Sequence, residues 1–275
     1  MPPVFTLAVL LSLALPLSAE PQRLVTAGSD VTEIACALGL GPNLIAVDSS
    51  SRHLAETRDK PDIGYVRTLG AEGILSQNPD LVILSGKAGP PPVLAQLQGS
   101  GVDLLLLDGD DSLEGIGEKI RVIALATNRT AEGDALIQQV EAGVEALRVV
   151  VANSQDRPSV IYLMARHGGN LMAAGRATAA HAMIEAIGGD NACSSFDGYK
   201  PLSAEFFASS APDFVIISQS VGAEDADLMA RVPGLGATPA GQNLRVIRVD
   251  DSAFLGFGPG APASAARVAT ALQQP

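Results

Sequence analysis

Apolar runs and stretches of helical spacing alternate along the first half of the chain. The run Leu81–Leu84 is continuously apolar, which is typical of a strand in a parallel sheet that is covered on both faces. Asp111 has Glu114 three residues after it, an arrangement that predicts a capping box at the start of a helix. By the same patterns we predict further strands over 23–27, 44–47 and 102–107, and helices over 31–40, 71–77, 93–98 and 111–127.

The longest periodic segment covers Thr130–Ala152. Its apolar residues recur at helical spacing, at Leu136, Val140, Val144 and Leu147. At about 1.5 Å per residue such a helix would be roughly 35 Å long, the length of a small domain. After Pro158 the alternation begins again, with predicted strands over 160–164, 214–217 and 246–249 and predicted helices over 178–187 and 264–272.

The second half of the chain repeats residues of the first half. Gly64-Tyr65 corresponds to Gly198-Tyr199, and Asn78-Pro79-Asp80 to Ala211-Pro212-Asp213, with a constant offset of 133 from Leu69 onward. Joint matches in one register indicate an internal repeat. We therefore predict two α/β, Rossmann-like lobes with parallel-type central sheets, joined by one long helix, with the ligand cleft between them.

The chain begins with a segment that is typical of export. Residues 5–17 form an apolar run too short to span a membrane, and Leu17-Ser18-Ala19 offers small residues for cleavage. We therefore expect a signal peptide over 1–19, an N-terminal lobe over 20–128, a linking helix over 129–156 and a C-terminal lobe over 157–275.

Composition and charge narrow the classes of partner. Hydrophobic residues make up 47% and charged residues 17%, which is typical of a globular protein. Asp and Glu number 30 against 18 Lys and Arg, and the net charge of −12 disfavours nucleic acid and anionic lipid as partners. It suits docking on a positively charged protein. Although export permits disulfides, we expect Cys36 and Cys193 to be buried free thiols.

The segment 62–69 carries the main candidate for ligand binding, Tyr65. Pro61 and Gly64 predict a non-helical, extended backbone, in which Tyr65 and Arg67 point to the same side. A phenol, whose ordinary pKa is near ~10, becomes a phenolate at neutral pH when ferric iron and a nearby cation stabilise the charge. Tyr65 is therefore a candidate axial ligand to haem iron. The alternative is a tyrosine at the rim that hydrogen-bonds a backbone carbonyl.

Other polar residues are candidates for the same cleft. His167 follows a predicted strand and precedes two glycines, which makes it a candidate for a second iron ligand or for a ring that stacks on a porphyrin. The alternative is a loop histidine without a role. His53 and His181 fall on separate elements, which argues against a His-rich zinc or manganese site. Basic residues that could pair with ligand carboxylates are Arg67, Arg166, Arg176, Lys200 and Arg231, of which Arg176 and Arg231 are expected on solvated surface.

No catalytic motif stands out, but two glutamates do. The chain has no Walker loop, dinucleotide fingerprint or Gly-x-Ser-x-Gly elbow, and we expect no enzyme activity. Glu72 and Glu205 take corresponding positions in the repeat, each at the start of a helix. A carboxylate there complements the helix dipole by about 0.3–1 kcal/mol, but the symmetry favours a pair that grips a two-fold partner through arginine pockets.

Several of these pieces together resemble a known family. They are the stretches 62–67, 71–76, 79–82, 166–169 and 172–176, Tyr199 with Pro201-Leu202, and Leu255-Gly256-Phe257-Gly258-Pro259. From Arg23 to the last helix the chain resembles the periplasmic haem-binding proteins of bacterial haem ABC importers. That group belongs to a class with a single backbone helix, which also serves cobalamin and siderophores.

The resemblance implies a role for individual residues. Tyr65 would be the axial ligand to haem iron, and Arg67 would support the phenolate or a propionate. Glu72 and Glu205 would dock the transmembrane permease. His167 matches a position that can ligate a second haem in members that stack two. His181 departs from the family, because an aspartate is expected in its place.

We therefore expect a monomeric periplasmic binding protein that captures ferric haem through Tyr65 and delivers it to the permease dimer of an ABC transporter. Haem is the transported ligand, and its iron is the one metal expected. Residues expected to support haem or its propionates are Arg67, Arg166, Tyr199 and Lys200. The alternatives are a cobalamin or ferric-siderophore carrier of the same class, an exported enzyme acting on haem, and a two-lobe adhesin without a small ligand.

Overall fold

The computed structural model describes residues 21–107, 111–154, 156–165, 170–222 and 228–274. The predicted signal peptide over 1–19 and the candidates Arg166 and His167 lie outside the described residues. The described part forms two lobes, each with its own sheet and helices, connected by one long helix. None of its helices combines the length and the apolar run that a membrane crossing requires.

A parallel sheet forms the centre of the N-terminal lobe. Its strands are β1 (Leu24–Ala27), β2 (Leu44–Val47), β3 (Leu81–Leu84) and β4 (Asp103–Leu106), in the spatial order β2-β1-β3-β4. The central strands β1 and β3 are buried along their whole length, which explains the unbroken apolar run of β3. The helices of this lobe are α1 (Ser29–Ala37), α2 (Ala71–Leu75), α3 (Pro91–Gly99) and α4 (Ile116–Ala126).

The long helix α5 (Thr130–Ala152) has 23 residues and the predicted bounds. All four of the apolar residues that predicted it are buried. It packs against α4 and against the last helix, α11 (Ala261–Leu272). A Cβ on Gly133 would lie only 2.5 Å from the Cβ of Ala124, and a Cβ on Gly143 would lie 3.1 Å from that of Pro262. Glycine thus allows α5 to approach a helix of each lobe closely.

The sheet of the C-terminal lobe is mixed. Its strands are β5 (Ser159–Ala165), β6 (Leu171–Ala174), β7 (Asp190–Asn191), β8 (Tyr199–Pro201), β9 (Phe214–Ser218) and β10 (Val246–Val249), in the order β10-β9-β5-β6-β8 with β7 beside β5. β10, β9 and β5 are parallel, as predicted for the centre of the sheet, whereas β6 pairs antiparallel with β5 and with β8. Only five residues separate β5 from β6, fewer than the dozen or so that a parallel crossover needs.

The remaining helices all belong to the C-terminal lobe. They are α6 (Ala179–Ala186), α7 (Ala204–Ser210), α8 (Leu228–Arg231), α9 (Pro239–Gln242) and α10 (Asp251–Leu255). Two predicted helix starts were wrong: α11 begins at Ala261, three residues before the predicted start, and the start of α4 also differs. α4 begins at Ile116 with Gly115 as its N-cap, so Asp111 is not part of a capping box. Both cysteines are free, as predicted; Cys193 is buried and Cys36 is half-buried.

The internal repeat is visible in the structure. The Oδ2 of Asp80 accepts a hydrogen bond from the backbone N–H of Arg23 at 3.0 Å, at the start of β1. The Oδ2 of Asp213 accepts one from the N–H of Ser159 at 2.9 Å, at the start of β5. Asn78 and Ala211, the corresponding residues just before these aspartates, both adopt positive φ angles, of 50° and 44°. The two lobes therefore use the same local device to pair their first strand with a later one.

A buried group of polar contacts connects the lobes, and we call it the lobe joint. Lys119 of α4 is buried, and its Nζ lies 3.1 Å from the Oδ2 of Asp30 and 2.8 Å from the carbonyl oxygen of Phe257. Nearby, the backbone N–H of Gly260 donates to the Oε1 of Glu33 at 2.7 Å. The motif around Phe257, taken above as part of a haem-protein resemblance, thus contacts the opposite lobe.

Removing the lysine of the lobe joint should destabilise the protein. In Lys119→Met, the carboxylate of Asp30 stays buried without its cation, which costs about 3–5 kcal/mol. The free energy of unfolding from denaturant titration measures this loss. Arg121→Met on the same helix removes an exposed ion pair with Glu118 and should change it by less than about 0.5 kcal/mol. Equal effects of the two substitutions would contradict the importance of the lobe joint.

Candidate functional site

Tyr65 lies in a loop at the carboxyl-terminal edge of the N-terminal sheet. The phenol side chain is 48% exposed, unusually open for a tyrosine. The loop is held by backbone contacts: the N–H of Ser49 donates to the carbonyl of Gly64 at 2.9 Å, and the N–H of Gly64 donates to the Oδ1 of Asp62 at 2.8 Å. Gly64 has a φ of 93°, a conformation that favours glycine. The ring is therefore exposed on a well-anchored backbone.

The backbone beyond Tyr65 is not extended, contrary to the prediction. Val66–Thr68 form a turn of 3₁₀ helix that buries Val66 and leaves Arg67 exposed. The turn is fixed by Gly89, whose N–H donates to the carbonyl of Val66 at 2.9 Å and whose carbonyl accepts from the N–H of Leu69 at 2.8 Å. The alternation of a strand therefore cannot be used to place Tyr65 and Arg67 on one side. Both groups do affect the pKa of the same phenol, that of Tyr199 in the C-terminal lobe.

Tyr199 approaches the same region from the C-terminal lobe. It lies on β8, is partly buried, and packs against the hydrophobic core that both lobes share. Burial raises the pKa of the Tyr199 phenol to about 12, and the negative charges of Asp251 and Asp111 add to the rise. The Arg67 guanidinium lowers this pKa, and Tyr65 raises it. Groups of both lobes thus face Tyr199, and we call the space between them the cleft.

A polar network supports the cleft on the C-terminal side. The hydroxyl of the buried Tyr162 donates to the Oδ1 of Asp251 at 2.6 Å, and the Ser218 hydroxyl donates to its Oδ2 at 2.5 Å. Burial raises the pKa of the Asp251 carboxyl, while these two donors lower it. The sequence analysis missed Asp251, although it stands two residues after β10, at a strand end where ligands are expected.

An ion pair that the sequence analysis also missed lies on the N-terminal side of the cleft. The Nζ of Lys87 pairs with the carboxylate of Asp111, and both side chains are partly exposed. The same Nζ lies 5.9 Å from the centre of the Phe257 ring. Lys87 stands three residues after β3, so the rule that ligands bind at the carboxyl ends of parallel strands would have found it.

Other candidates do not join this group. Lys200 follows Tyr199 directly on β8, so its side chain points to the opposite face of the strand, where its Nζ lies 4.9 Å from the centre of the Phe196 ring. The Nδ1 of His181 lies 3.2 Å from the side-chain nitrogen of Asn191, and the Nδ1 of His53 lies 3.2 Å from the carbonyl oxygen of Ser50. Arg166 and His167 are outside the described residues.

Glu72 and Glu205 occupy matching positions on the surface. Each is the second residue of a short helix, α2 or α7, and each side chain is exposed. In the described part of the chain neither forms an ion pair. Both helices precede a central strand of their lobe, β3 or β9. The repeat thus presents one exposed carboxylate from each lobe, without an ion-pair partner among the described residues.

A separate cavity lies away from the cleft. It has a volume of about 620 Å³ and is lined by Asn153 and Gln273 at the ends of α5 and α11, together with Arg157 and Arg245. Arg157 already pairs with Glu185 and Asp190. Helix carboxyl ends carry partial negative charge and attract such cations. We therefore assign this cavity no ligand.

The cleft offers a limited set of ligand-binding groups. Among the described residues, no group of three or more His, Cys, Asp or Glu side chains is arranged to hold a metal ion. The exposed phenol of Tyr65 is a single hard oxygen donor. Such a donor suits a ferric ion whose other coordination positions are filled by the ligand that carries it. Arg67 and Lys87 add two cations nearby.

Comparisons with known proteins agree with this architecture. The family model of the periplasmic binding proteins matches residues 24–253, and the chain belongs to this family. Its fold is that of the periplasmic haem-binding proteins of ABC importers. The apo structure of the periplasmic heme-binding protein RhuT from Roseiflexus sp. RS-1 superposes with a TM-score of 0.85 at 38% identity, covering 92% of this chain and 98% of that one.

Two further relatives bear on the ligand. The periplasmic heme-binding protein BhuT, solved in complex with two hemes, has a TM-score of 0.84 and 37% identity over 91% of this chain and 97% of its own. A vitamin B12-binding protein of Vibrio campbellii is 28% identical over 158 residues, or 58% of this chain and 57% of that relative. Each of these two relatives is named for the ligand that it binds.

The raised pKa of Tyr199 predicts a pH dependence of stability. Because the folded protein favours the neutral phenol, the contribution of Tyr199 to the free energy of unfolding is complete below pH ~10, the ordinary tyrosine pKa. This contribution is lost as the pH rises to about 12. In Tyr199→Phe, the free energy of unfolding should fall less over this range, and phenolate absorbance should lack one group titrating near pH 12. Loss of a group that titrates near pH ~10 instead would contradict the assignment.

Proposed function

We propose that this protein is an extracytoplasmic substrate-binding protein that captures ferric haem and delivers it to an ABC transporter. The observation that carries the proposal is the exposed Tyr65 phenol on an anchored loop, facing the cleft with Arg67. Bound haem fills the equatorial positions of its iron with porphyrin nitrogens, so a single axial phenolate from the protein completes the site. Arg67 supports the negative charge of the phenolate or of a propionate.

Tyr65, and not Tyr199, is the iron ligand in this proposal. Ligation requires loss of the phenol proton at neutral pH. Burial and two nearby carboxylates raise the pKa of Tyr199 to about 12, which opposes that loss. Tyr199 therefore remains a neutral phenol on the opposite wall. This supports a ligand that is held by iron ligation from the N-terminal lobe and by contact from the C-terminal lobe.

Haem is favoured over cobalamin by two arguments. The two heme-binding relatives described above match more than nine-tenths of this chain at 37–38% identity, whereas the vitamin B12-binding relative matches 58% of it at 28%. A phenolate is also a hard, anionic donor that suits ferric iron. A cobalamin or siderophore carrier of the same family is the alternative function.

Delivery to the permease is proposed to depend on Glu72 and Glu205. They are exposed, unpaired with other described residues, and placed at matching positions of the two lobes. Two such carboxylates suit a permease dimer that presents an arginine pocket on each half. The protein acts as a monomer in the periplasm after removal of residues 1–19, and His167 would ligate a second haem if two are bound.

Removing the phenol oxygen tests the proposed ligand. Hemin added to the purified protein should give the spectrum of phenolate-ligated ferric haem. Tyr65→Phe keeps the ring but removes the donor, so this spectrum should disappear and the affinity should fall by more than about tenfold, or about 1.4 kcal/mol.

Tyr199→Phe is the matched control, because it removes the other cleft phenol and should keep the spectrum. An unchanged spectrum in Tyr65→Phe would refute the role of Tyr65. A wild-type protein that ignores hemin but binds cobalamin or a ferric siderophore would establish the alternative function.

Charge reversal tests the docking residues. The double variant Glu72→Arg, Glu205→Arg should lose haem uptake in cells, because it presents cations to cationic pockets, while its hemin affinity stays within about twofold of wild type. The control Glu118→Arg, Glu132→Arg makes the same change in net charge on exposed parts of α4 and α5. Uptake that persists in the docking variant, or is equally lost in the control, would refute the assignment.

A further inference from the structure

The ion pair between Lys87 and Asp111 is placed where a ligand would disturb it. Both residues follow strands of the N-terminal sheet, and both side chains are about 29% exposed. Asp111 is close enough to Tyr199, on the other wall of the cleft, to raise the pKa of its phenol. Lys87 reaches the Phe257 ring of the C-terminal lobe. The pair therefore lies between the lobes, within the cleft.

The two members of this pair have opposite effects on an anionic ligand. The Asp111 carboxylate adds to the negative charge near Tyr199, where Asp251 also lies. A carboxylate on an incoming ligand is repelled by Asp111 and attracted by Lys87. Lys87 is paired with Asp111 in the structure, so a ligand carboxylate has to compete with an internal one.

We infer that Lys87 exchanges its partner on binding, leaving Asp111 for an ionised carboxylate of the ligand. This inference rests on the proposed function and specifies its selectivity. Together with Arg67, Lys87 selects a metal chelate that carries free carboxylates, such as ferric haem, against one whose side chains are uncharged amides or esters. Asp111 acts as the competitor that raises this selectivity, because a ligand without a carboxylate gains nothing from displacing it.

Substitutions of the two partners should change haem affinity in opposite directions. Lys87→Met leaves Asp111 unneutralised beside the ligand and should weaken ferric haem binding by about fivefold, whereas Asp111→Asn frees Lys87 and should strengthen it by about two- to fivefold. With ferric haem dimethyl ester, which lacks ionised carboxylates, both effects should fall below about twofold. Absorbance titrations in one buffer, with haem transfer to apomyoglobin for tight complexes, measure all of these affinities.

Controls separate this inference from the proposed function and from simple misfolding. Arg121→Met and Glu118→Gln make the same changes in net charge at an exposed ion pair of α4 and should leave both affinities unchanged. Thermal unfolding identifies any variant that does not fold, and Lys87→Gln and Asp111→Ser then replace it. Equal weakening by both cleft variants, or equal effects on haem and its dimethyl ester, would overturn the exchange. A wild-type protein that binds neither compound would overturn the proposed function itself.

Discussion

The buried charge of Lys119 determines how the two lobes can be arranged. The ammonium group of Lys119 donates hydrogen bonds to the carboxylate of Asp30 on α1 and to the carbonyl oxygen of Phe257 in the opposite lobe. Asp30 also accepts a hydrogen bond from Ser85 at 3.3 Å, just beyond β3. This is where connections leave the N-terminal sheet in opposite directions, the usual ligand crevice of an open parallel sheet. Here the crevice holds the lobe joint, so ligand-binding groups are left to neighbouring loops such as that of Tyr65.

The repeat explains why two tyrosines occur in the cleft but does not make them equivalent. Tyr65 lies on a loop that is held by backbone hydrogen bonds to the segments after β2 and β3, and its ring is exposed to solvent. Tyr199 lies within an antiparallel edge strand, beside the carboxylate that Tyr162 and Ser218 hold in place. The same phenol therefore has two environments. One leaves the oxygen accessible to a Lewis acid, and the other retains the proton.

The parts of the fold that depend on local patterns of apolar residues were predictable from the sequence. The bounds of β3 and α5 follow from a continuous apolar run and from helical periodicity, and both were predicted correctly. β6 and β8 were missed because their formation depends on partners elsewhere in the chain. In the cleft, Tyr65 was predicted because a phenol can ligate ferric iron. Lys87 and Asp111 were not predicted, because each alone is typical of a solvated surface and only the structure shows that they pair. Lys119 was missed for the same reason.

The glycine contacts of α5 have a consequence for how far the two lobes can move relative to each other. Gly133 and Gly143 bring the helix against both lobes so closely that it has little room to slide or bend. Under the proposed function, a receptor joined by such a helix would hold its binding-competent shape before the ligand arrives. Its affinity is then not reduced by the fraction of molecules that would otherwise have to close. Under the same proposal, release of the ligand by separation of the lobes would require work supplied from outside the protein.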